Sequence, residues 1–351
     1  MLRKVALAAI AATTLALVAC GGSGGSSQSS PSSAGGCSSP TSFKFRLNWV
    51  LDTEQVAYYT ALDKGWYKDA CLDPQFQPGN GSTTTVQLVA NGSADMGVAD
   101  AISIIPGQSK GLPVTAVGAV FQHNAFALVI RQAALAPEQK SQQKLDPSVL
   151  YGKTFGAVPG SSPFILWQAF VKQQHLDTSK IKQVSISAPG YAEMATGKVD
   201  FLANFFTAKA VLDGAGTPVA LVKGEDYGQK AYGLTYLVND DWGNGHAKQI
   251  ADFLKVTQRA LQYTSDHPEE GVKELCKYNQ TLCQDQHNTD VNVAQWKETI
   301  PLFPNLIKGK PMLCIDTNTW KSTEDVVKQT GVADSVPDSS KSFTNKYLSG
   351  C

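Results

Sequence analysis

Residues 91–100 read NGSADMGVAD, and residues 196–205 read TGKVDFLANF. In each, a polar residue and a Gly precede an Asp by a few positions, and a short apolar run follows. Before the first copy, TTTVQLVA sets Val86, Val89 and Ala90 at helical spacing. Gly92 and Gly197 suit the left-handed turn that closes a helix, where a Cβ would clash. After Asp95 comes MGVA and after Asp200 comes FLANF, short apolar runs of the kind that fill the middle of a parallel sheet. Two such helix–Gly–Asp–strand joints predict two similar α/β lobes.

The flanking sequence has the same alternation. FKFRLNWV (43–50) reads as a strand running into a loop, and EQVAYYTALDKGWYKDA (54–70) as a helix with Gly65 near its end. LDPQFQPG is a strand, STTTVQLVA a helix capped by Ser82 or Thr83, AISIIPGQSKG a short helix, and PVTAVGAV and NAFALVIRQ are strands. After the polar stretch PEQKSQQKLDPS the order returns. KTFGAVPGSS is a strand and loop, PFILWQAFVKQQH a helix with Pro163 in its first turn, and IKQVSIS, VDFLANF, PVALVKG and YGLTYLVND are strands. From HAKQIADFLKVTQRALQYT onward the chain is mostly helical. This pattern predicts mostly parallel sheets flanked by helices. Lobe 1 is expected over 43–130 and 233–351, lobe 2 over 131–232, with a cleft between them.

The first 42 residues are of another kind. Arg3 and Lys4 precede an apolar stretch from Val5 to Val18 that would span roughly 21 Å as a helix, short of a bilayer core of about 30 Å. A basic start, a short apolar core and small residues at its end predict a signal peptide over 1–19. Leu17-Val18-Ala19-Cys20 resembles the bacterial lipobox, which makes Cys20 a lipidation site. GGSGGSSQSSPSSAGG, within 20–42, holds too little apolar surface for a core and predicts a flexible tether. Together these predict a bacterial protein lipid-anchored on the extracytoplasmic face of the cell membrane.

Thirty Lys and Arg balance thirty Asp and Glu, and no long basic run occurs, which argues against a nucleic-acid partner. Setting Cys20 aside leaves Cys37, Cys71, Cys276, Cys283, Cys314 and Cys351. An even set outside the cytoplasm predicts disulfides, with fifteen pairings formally open. Cys276 and Cys283 are close in LCKYNQTLC; Cys37 and Cys71 each precede a strand, and parallel neighbours would join them; Cys314 and Cys351 remain. The rival, a zinc site, finds no CxxC or clustered His, so no metal is expected.

The stretch RLNWVLDTEQVAYYTALDKGWYKDACLDPQFQPGNGSTTTVQLVANGSADMGVADA resembles the opening of bacterial solute-binding lipoproteins of ABC importers. Within them it is most similar to the group that binds thiamine pyrimidine precursors, with riboflavin, nitrate, taurine and alkanesulfonate binders as relatives. The stretch KGWYKD, the joint NGSADMGVAD and the strand GLPVTAVGA carry the resemblance over roughly 43–240. It implies a two-lobed periplasmic-binding-protein fold of type II, a small-molecule ligand in the cleft, a permease and an ATPase as partners, a monomeric state and no cofactor. Where the pyrimidine binders show an Asn and a His shortly after the Trp of the first strand, this chain has Asp52 and Glu54.

Ligands in such sheets sit beyond the carboxyl ends of strands, where helix N-termini also point. That rule selects Asn48, Trp49 and Asp52 after the first strand, where the resemblance places a ligand ring. A ring can stack on Trp49, and Asp52 can accept from an amine. Either Tyr58 or Tyr59 is a cleft candidate, the other facing the sheet. Asp100 ends DMGVAD and is a cleft group or a cap for AISII. Gln122 and His123 follow PVTAVGAV. Ser161 and Ser162 precede a helix start and suit an anion. Tyr191 follows IKQVSIS, and Asn204 and Phe205 end the second joint, Phe205 standing where Asp100 stands in the first.

These residues favour a flat, nitrogen-containing ring delivered to an ABC permease, with a sulfonate, taurine or nitrate as the alternative. An extracellular sensor is a further reading. Relatives of this fold make the thiamine pyrimidine using a His, a Lys for pyridoxal phosphate and a Cys-rich iron motif. The chain has no adjacent cysteines, no G-x-S-x-G and only scattered His, so the sequence predicts no enzyme.

Overall fold

The computed structural model describes residues 37, 39–333 and 335–351. The expected signal peptide, Cys20 and most of the tether lie outside the described residues. Among the described residues, ten strands form two five-stranded sheets. The first has the order β2 (Leu72–Gln77), β1 (Thr41–Arg46), β3 (Met96–Asp100), β10 (Leu234–Asn239), β4 (Val114–Ala119). The second has β7 (Lys182–Ser185), β6 (Thr154–Ala157), β8 (Phe201–Phe205), β5 (Phe126–Arg131), β9 (Val219–Lys223). Counted from β1 and from β6, with β5 taken after β9, the two sheets have the same strand order. In each, the fourth strand runs against the other four: β10 is antiparallel to β3 and β4, and β5 to β8 and β9.

The repeated joint falls at the same place in both sheets. β1 meets β3 with Phe45 opposite Met96, and β6 meets β8 with Phe155 opposite Phe201. Just before each central strand, the Asp bonds the neighbouring strand twice. Asp95 N–H donates to Lys44 O (2.9 Å) while its carboxylate accepts from Lys44 N–H (2.7 Å). Asp200 N–H donates to Thr154 O (2.8 Å) while its carboxylate accepts from Thr154 N–H (2.9 Å). The antiparallel neighbour repeats too, with Asn239 N–H on Asp95 O and Arg131 N–H on Asp200 O. A carboxylate thus supplies an acceptor where the ladder begins, and it fixes the register that decides which face each side chain occupies.

Two expected boundaries need correction. β5 belongs to the second sheet, so the chain crosses within 120–125 and not near 130. β4 and β5 are consecutive apolar runs with a short link, and their alternation does not say whether they share a sheet. The C-terminal stretch is also not wholly lobe 1. Trp320, Val326 and Val327, on the helix Thr317–Thr330, are buried in the core that holds Phe126, Phe155 and Phe201. That helix packs on both Ser162–Gln173 of the second lobe and Ala101–Ser109 of the first.

The first core centres on Phe45, which is fully buried among Tyr58, Phe76, Tyr236 and Phe253. Disulfides join Cys37 to Cys71, Cys276 to Cys283 and Cys314 to Cys351. Among the described residues no helix is long and apolar enough to cross a membrane, and no cluster of His, Cys, Asp and Glu could hold a metal.

Candidate functional site

The carboxyl ends of β1, β3, β6 and β8 open on one cavity between the lobes, with about 720 Å³ of empty space including its mouth. From the first lobe, Asn48 and Trp49 continue β1. Gly79 presses on this segment: its N–H donates to Trp49 O (2.7 Å), and a Cβ there would lie 2.1 Å from Leu47 O. Only glycine allows that approach. Asp52 caps the short 3-10 turn Thr53–Gln55, accepting from Glu54 N–H (3.0 Å). Asn48 Nδ2 donates to the Glu54 carboxyl (2.9 Å).

Asp100, at the end of β3, is 2% exposed. Its Oδ2 accepts from Ser82 Oγ (3.1 Å), and its N–H donates back to the same hydroxyl (3.0 Å). It makes no side-chain cap to the helix Ala101–Ser109 that follows, so the capping alternative does not describe it. Asp100 Oδ1 and Asn48 Oδ1 are both buried without a partner. Buried polar atoms are paired in nearly all cases, so an unpaired acceptor on each of two residues that line one cavity departs from the usual pattern.

The second lobe supplies the facing wall. Tyr191 starts the helix Tyr191–Ala195 and reaches Asn204, and Phe205 ends β8 in the sheet position that Asp100 holds in the first lobe. Ser161 caps Ser162–Gln173: its Oγ accepts from Phe164 N–H (3.3 Å) and donates to Val158 O (2.8 Å). Ser162 Oγ lies 3.3 Å from Ser103 Oγ, a contact across the lobes. A second interlobe contact sets His287 Nε2 on Gly214 O (2.9 Å).

The electrostatics of this cavity are one-sided. Asp52, Glu54 and Asp100 line it, and among the described residues no Lys, Arg or His does. Removal from water drives all three carboxyls upward. Asp52 is pushed to about 6, its bond from Glu54 N–H offsetting part of the burial. Glu54 is pushed to about 8, by burial first and by the charge of Asp52 second. Tyr191 also rises, through burial and then the nearness of Asp52 and Glu54, which ties the second lobe to the acidic wall of the first.

Nine expected residues therefore line one cavity: Asn48, Trp49, Asp52, Asp100, Ser161, Ser162, Tyr191, Asn204 and Phe205. Four do not. Tyr58 is buried against Phe45 and Phe76, its hydroxyl 2.9 Å from that of Tyr236. Tyr59 packs on Phe76 and Tyr278. Their helix, Val56–Asp63, is covered on its outer side by Ala247–Asp266 and Pro268–Cys276, so neither face is left for the cleft. Gln122 is buried at the crossing, donating to Ala119 O and Cys314 O. His123 lies beside Glu225 on other surface depressions. Both follow β4 at the point where the chain leaves the lobe. Sequence reasoning missed Glu54, Ser82 and Gln295 as site residues. Glu54 stood in the segment already selected; Gln295 comes from a distant helix and no local pattern marks it.

A family model described as NMT1/THI5 like matches residues 52–271, well over half of the 351-residue chain. The chain belongs to the NMT1/THI5-like family. Among the family's relatives, a 4-amino-5-hydroxymethyl-2-methylpyrimidine phosphate synthase of Saccharomyces cerevisiae is 22% identical over 324 residues, 89% of each chain. A formylaminopyrimidine-binding protein of Halalkalibacterium halodurans is 21% identical over 235 residues, 65% of this chain and 68% of its own. The solved periplasmic aliphatic sulphonate binding protein of Escherichia coli superposes with a TM-score of 0.66 at 15% identity, covering 87% of this chain and 92% of that one. That likeness shows the two-lobed periplasmic-binding-protein fold. One expectation is overturned: relatives matched over 89% of the chain are named synthases, so the prediction of no enzyme is withdrawn. The motifs behind that prediction mark particular chemistries, and their absence excludes those alone.

Proposed function

We propose that the interlobe cavity binds a small, flat, amine-bearing nitrogen heterocycle of the thiamine-pyrimidine class. The observation that carries this reading is the meeting of three carboxyls, Asp100 among them with an unpartnered Oδ1, and the unpartnered Oδ1 of Asn48 with the rings of Trp49, Tyr191 and Phe205. An exocyclic amine offers two donors to such acceptors, and an aromatic ring offers faces to the walls. The named ligand of the Halalkalibacterium relative is of this kind. The sulfonate, taurine or nitrate alternative is the poorer fit. An anion would meet three acids and no cation, and Ser161 is already engaged as a helix cap.

We further propose that the protein works outside the cytoplasm, held by a lipid on Cys20, and hands its ligand to an ABC permease. The two-lobed fold of the sulphonate-binding neighbour and the three disulfides support that setting.

The test is a thermal-shift and calorimetry series on the chain from Cys37 onward, with aminopyrimidines, thiamine, riboflavin, taurine, alkanesulfonates and nitrate. A ligand at about a hundred times its Kd adds about 2.7 kcal/mol of stability. Aminopyrimidines are expected to raise Tm, and Trp49→Ala to weaken them about 10-fold. A rise with sulfonates alone would reject the heterocycle. Mass analysis of the recovered ligand reads whether it leaves the cavity unchanged.

A further inference from the structure

We propose that the cavity selects its ligand by positive charge, with Glu54 as the specificity-determining carboxyl, and that uptake of a cationic ring releases a proton to solvent. This deepens the heterocycle reading above and rests on it for the shape of the ligand.

The geometry around Glu54 carries the proposal. Its carboxyl takes a single side-chain bond, from Asn48 Nδ2, and lines the cavity together with Asp52 and Asp100. The residue that holds it, Asn48, is 5% exposed and has its own Oδ1 unpartnered. Asp100, 2% exposed, likewise has Oδ1 unpartnered. The acidic cluster is thus accompanied by buried acceptors that the protein leaves open, a pattern that internal hydrogen bonding does not account for.

The groups facing Glu54 come from every element around it. Asp52 precedes the 3-10 turn on which Glu54 sits, Asp100 ends β3, and Tyr58 approaches from the helix Val56–Asp63. Tyr191 approaches from the second lobe, and Gln295, which accepts from Thr53 Oγ1, lies on the helix Gln286–Thr299. None of these is a cation, and among the described residues no Lys, Arg or His lines the cavity. Three carboxyls in one cleft, Asp100 buried and Asp52 and Glu54 half-buried, disfavour full ionisation without a counter-charge. Burial raises both Glu54 and Asp52, and the charges of Asp52 and Asp100 raise Glu54 further, so the cavity retains protons near neutral pH. A ring carrying its own positive charge supplies the missing partner. The carboxyl facing it then ionises, and the proton passes to buffer. The balance is simple: the charge that enters on the ligand equals the charge that leaves as the proton, and no bond other than the O–H is broken.

The experiment is isothermal calorimetry near neutral pH, in two buffers of different ionisation heat. The compounds are 4-aminopyrimidine, its permanently charged N-methylated cation, a pyrimidine carboxylate of similar size, and an aliphatic ammonium ion. The cation is expected to bind about 100-fold more tightly than the carboxylate, a modest demand on charges a few ångströms apart in a protein interior. Its heat is expected to differ between buffers by the equivalent of about one proton released, in keeping with linkage. In Glu54→Gln, the preference is expected to fall below about 10-fold and the buffer difference to vanish. Asp100→Asn is the second variant, checked with the first by thermal melting, and the wild-type comparison needs no variant at all.

Equal binding of neutral and cationic rings without a buffer difference overturns charge selection while the heterocycle reading stands. Preference for the carboxylate overturns it as well. Binding of the ammonium ion but of no ring supports charge selection and rejects the heterocycle. Silence from all four compounds rejects both.

Discussion

At the scale of single residues, Asp52 and Glu54 do most to set the character of the cleft. Both are raised by burial, to about 6 and about 8. In the unfolded chain these carboxyls release their protons near the ordinary value of about 4. Between that value and the raised one, the folded state holds protons that the unfolded state has lost, so stability falls as pH rises. The ligand-free protein is therefore expected to lose Tm from about pH 5 to pH 8, by up to about 1.4 kcal/mol per pH unit for each carboxyl in transition. Glu54→Gln is expected to flatten the upper half of that slope in a melting series, and an unchanged slope would reject the assignment. Asp52 was legible in the sequence because it follows a strand and replaces the residues shown by pyrimidine binders. Glu54 was read only as part of that departure. Its role depends on what faces it, and Asp100 and Tyr191 come from remote stretches of chain. Tyr58 misled for the same reason: its spacing shows a helix, while the two helices that cover it arrive about two hundred residues later.

At the scale of elements, the helix–Gly–Asp–strand joint is a local device with a long reach. Its Gly and Asp are visible in the sequence at fixed spacing, and the strand that the Asp holds lies far away, at Lys44 or Thr154. The two copies differ in one respect. Asp200 also accepts from Arg131 (2.9 Å) and is partly buried, whereas the bond from Lys44 to Asp95 is exposed. Asp95→Ala is therefore expected to cost about 1 kcal/mol, and Asp200→Ala about 2 to 3, because it leaves Arg131 without its carboxylate. Denaturant unfolding measures the difference, and hydrogen exchange is expected to quicken at the Lys44 or Thr154 amide. Equal costs would show that the Arg131 contact contributes nothing. The strand alternation was legible because buried strands are short apolar runs. The antiparallel setting of β5 and β10 was not, since pairing direction leaves no mark on the composition of a strand buried on both faces.

At the scale of the whole molecule, the lobes are joined by more than two crossings. The helix Thr317–Thr330 packs on both, and the Cys314–Cys351 disulfide ties down the chain on either side of it. Replacing both cysteines by Ser is expected to lower stability by about 2 to 4 kcal/mol, read as a drop in the denaturant midpoint. A smaller change would mean that the buried Trp320 and Val327 hold this segment unaided. The exchange of strands between the sheets also bears on how the protein is made. All five strands of the second sheet lie in one uninterrupted run, 126–223, whereas the first sheet must wait for β10 at 234–239. As the chain leaves the ribosome from its N-terminus, the lobe that begins first is the one whose sheet closes last. Its strands β1 to β4 must persist with a vacant place between β3 and β4 while the other half assembles. The stretches left open to wrong pairing during synthesis are therefore the facing edges of β3 and β4, and β3 is the strand that ends in Asp100 at the cavity.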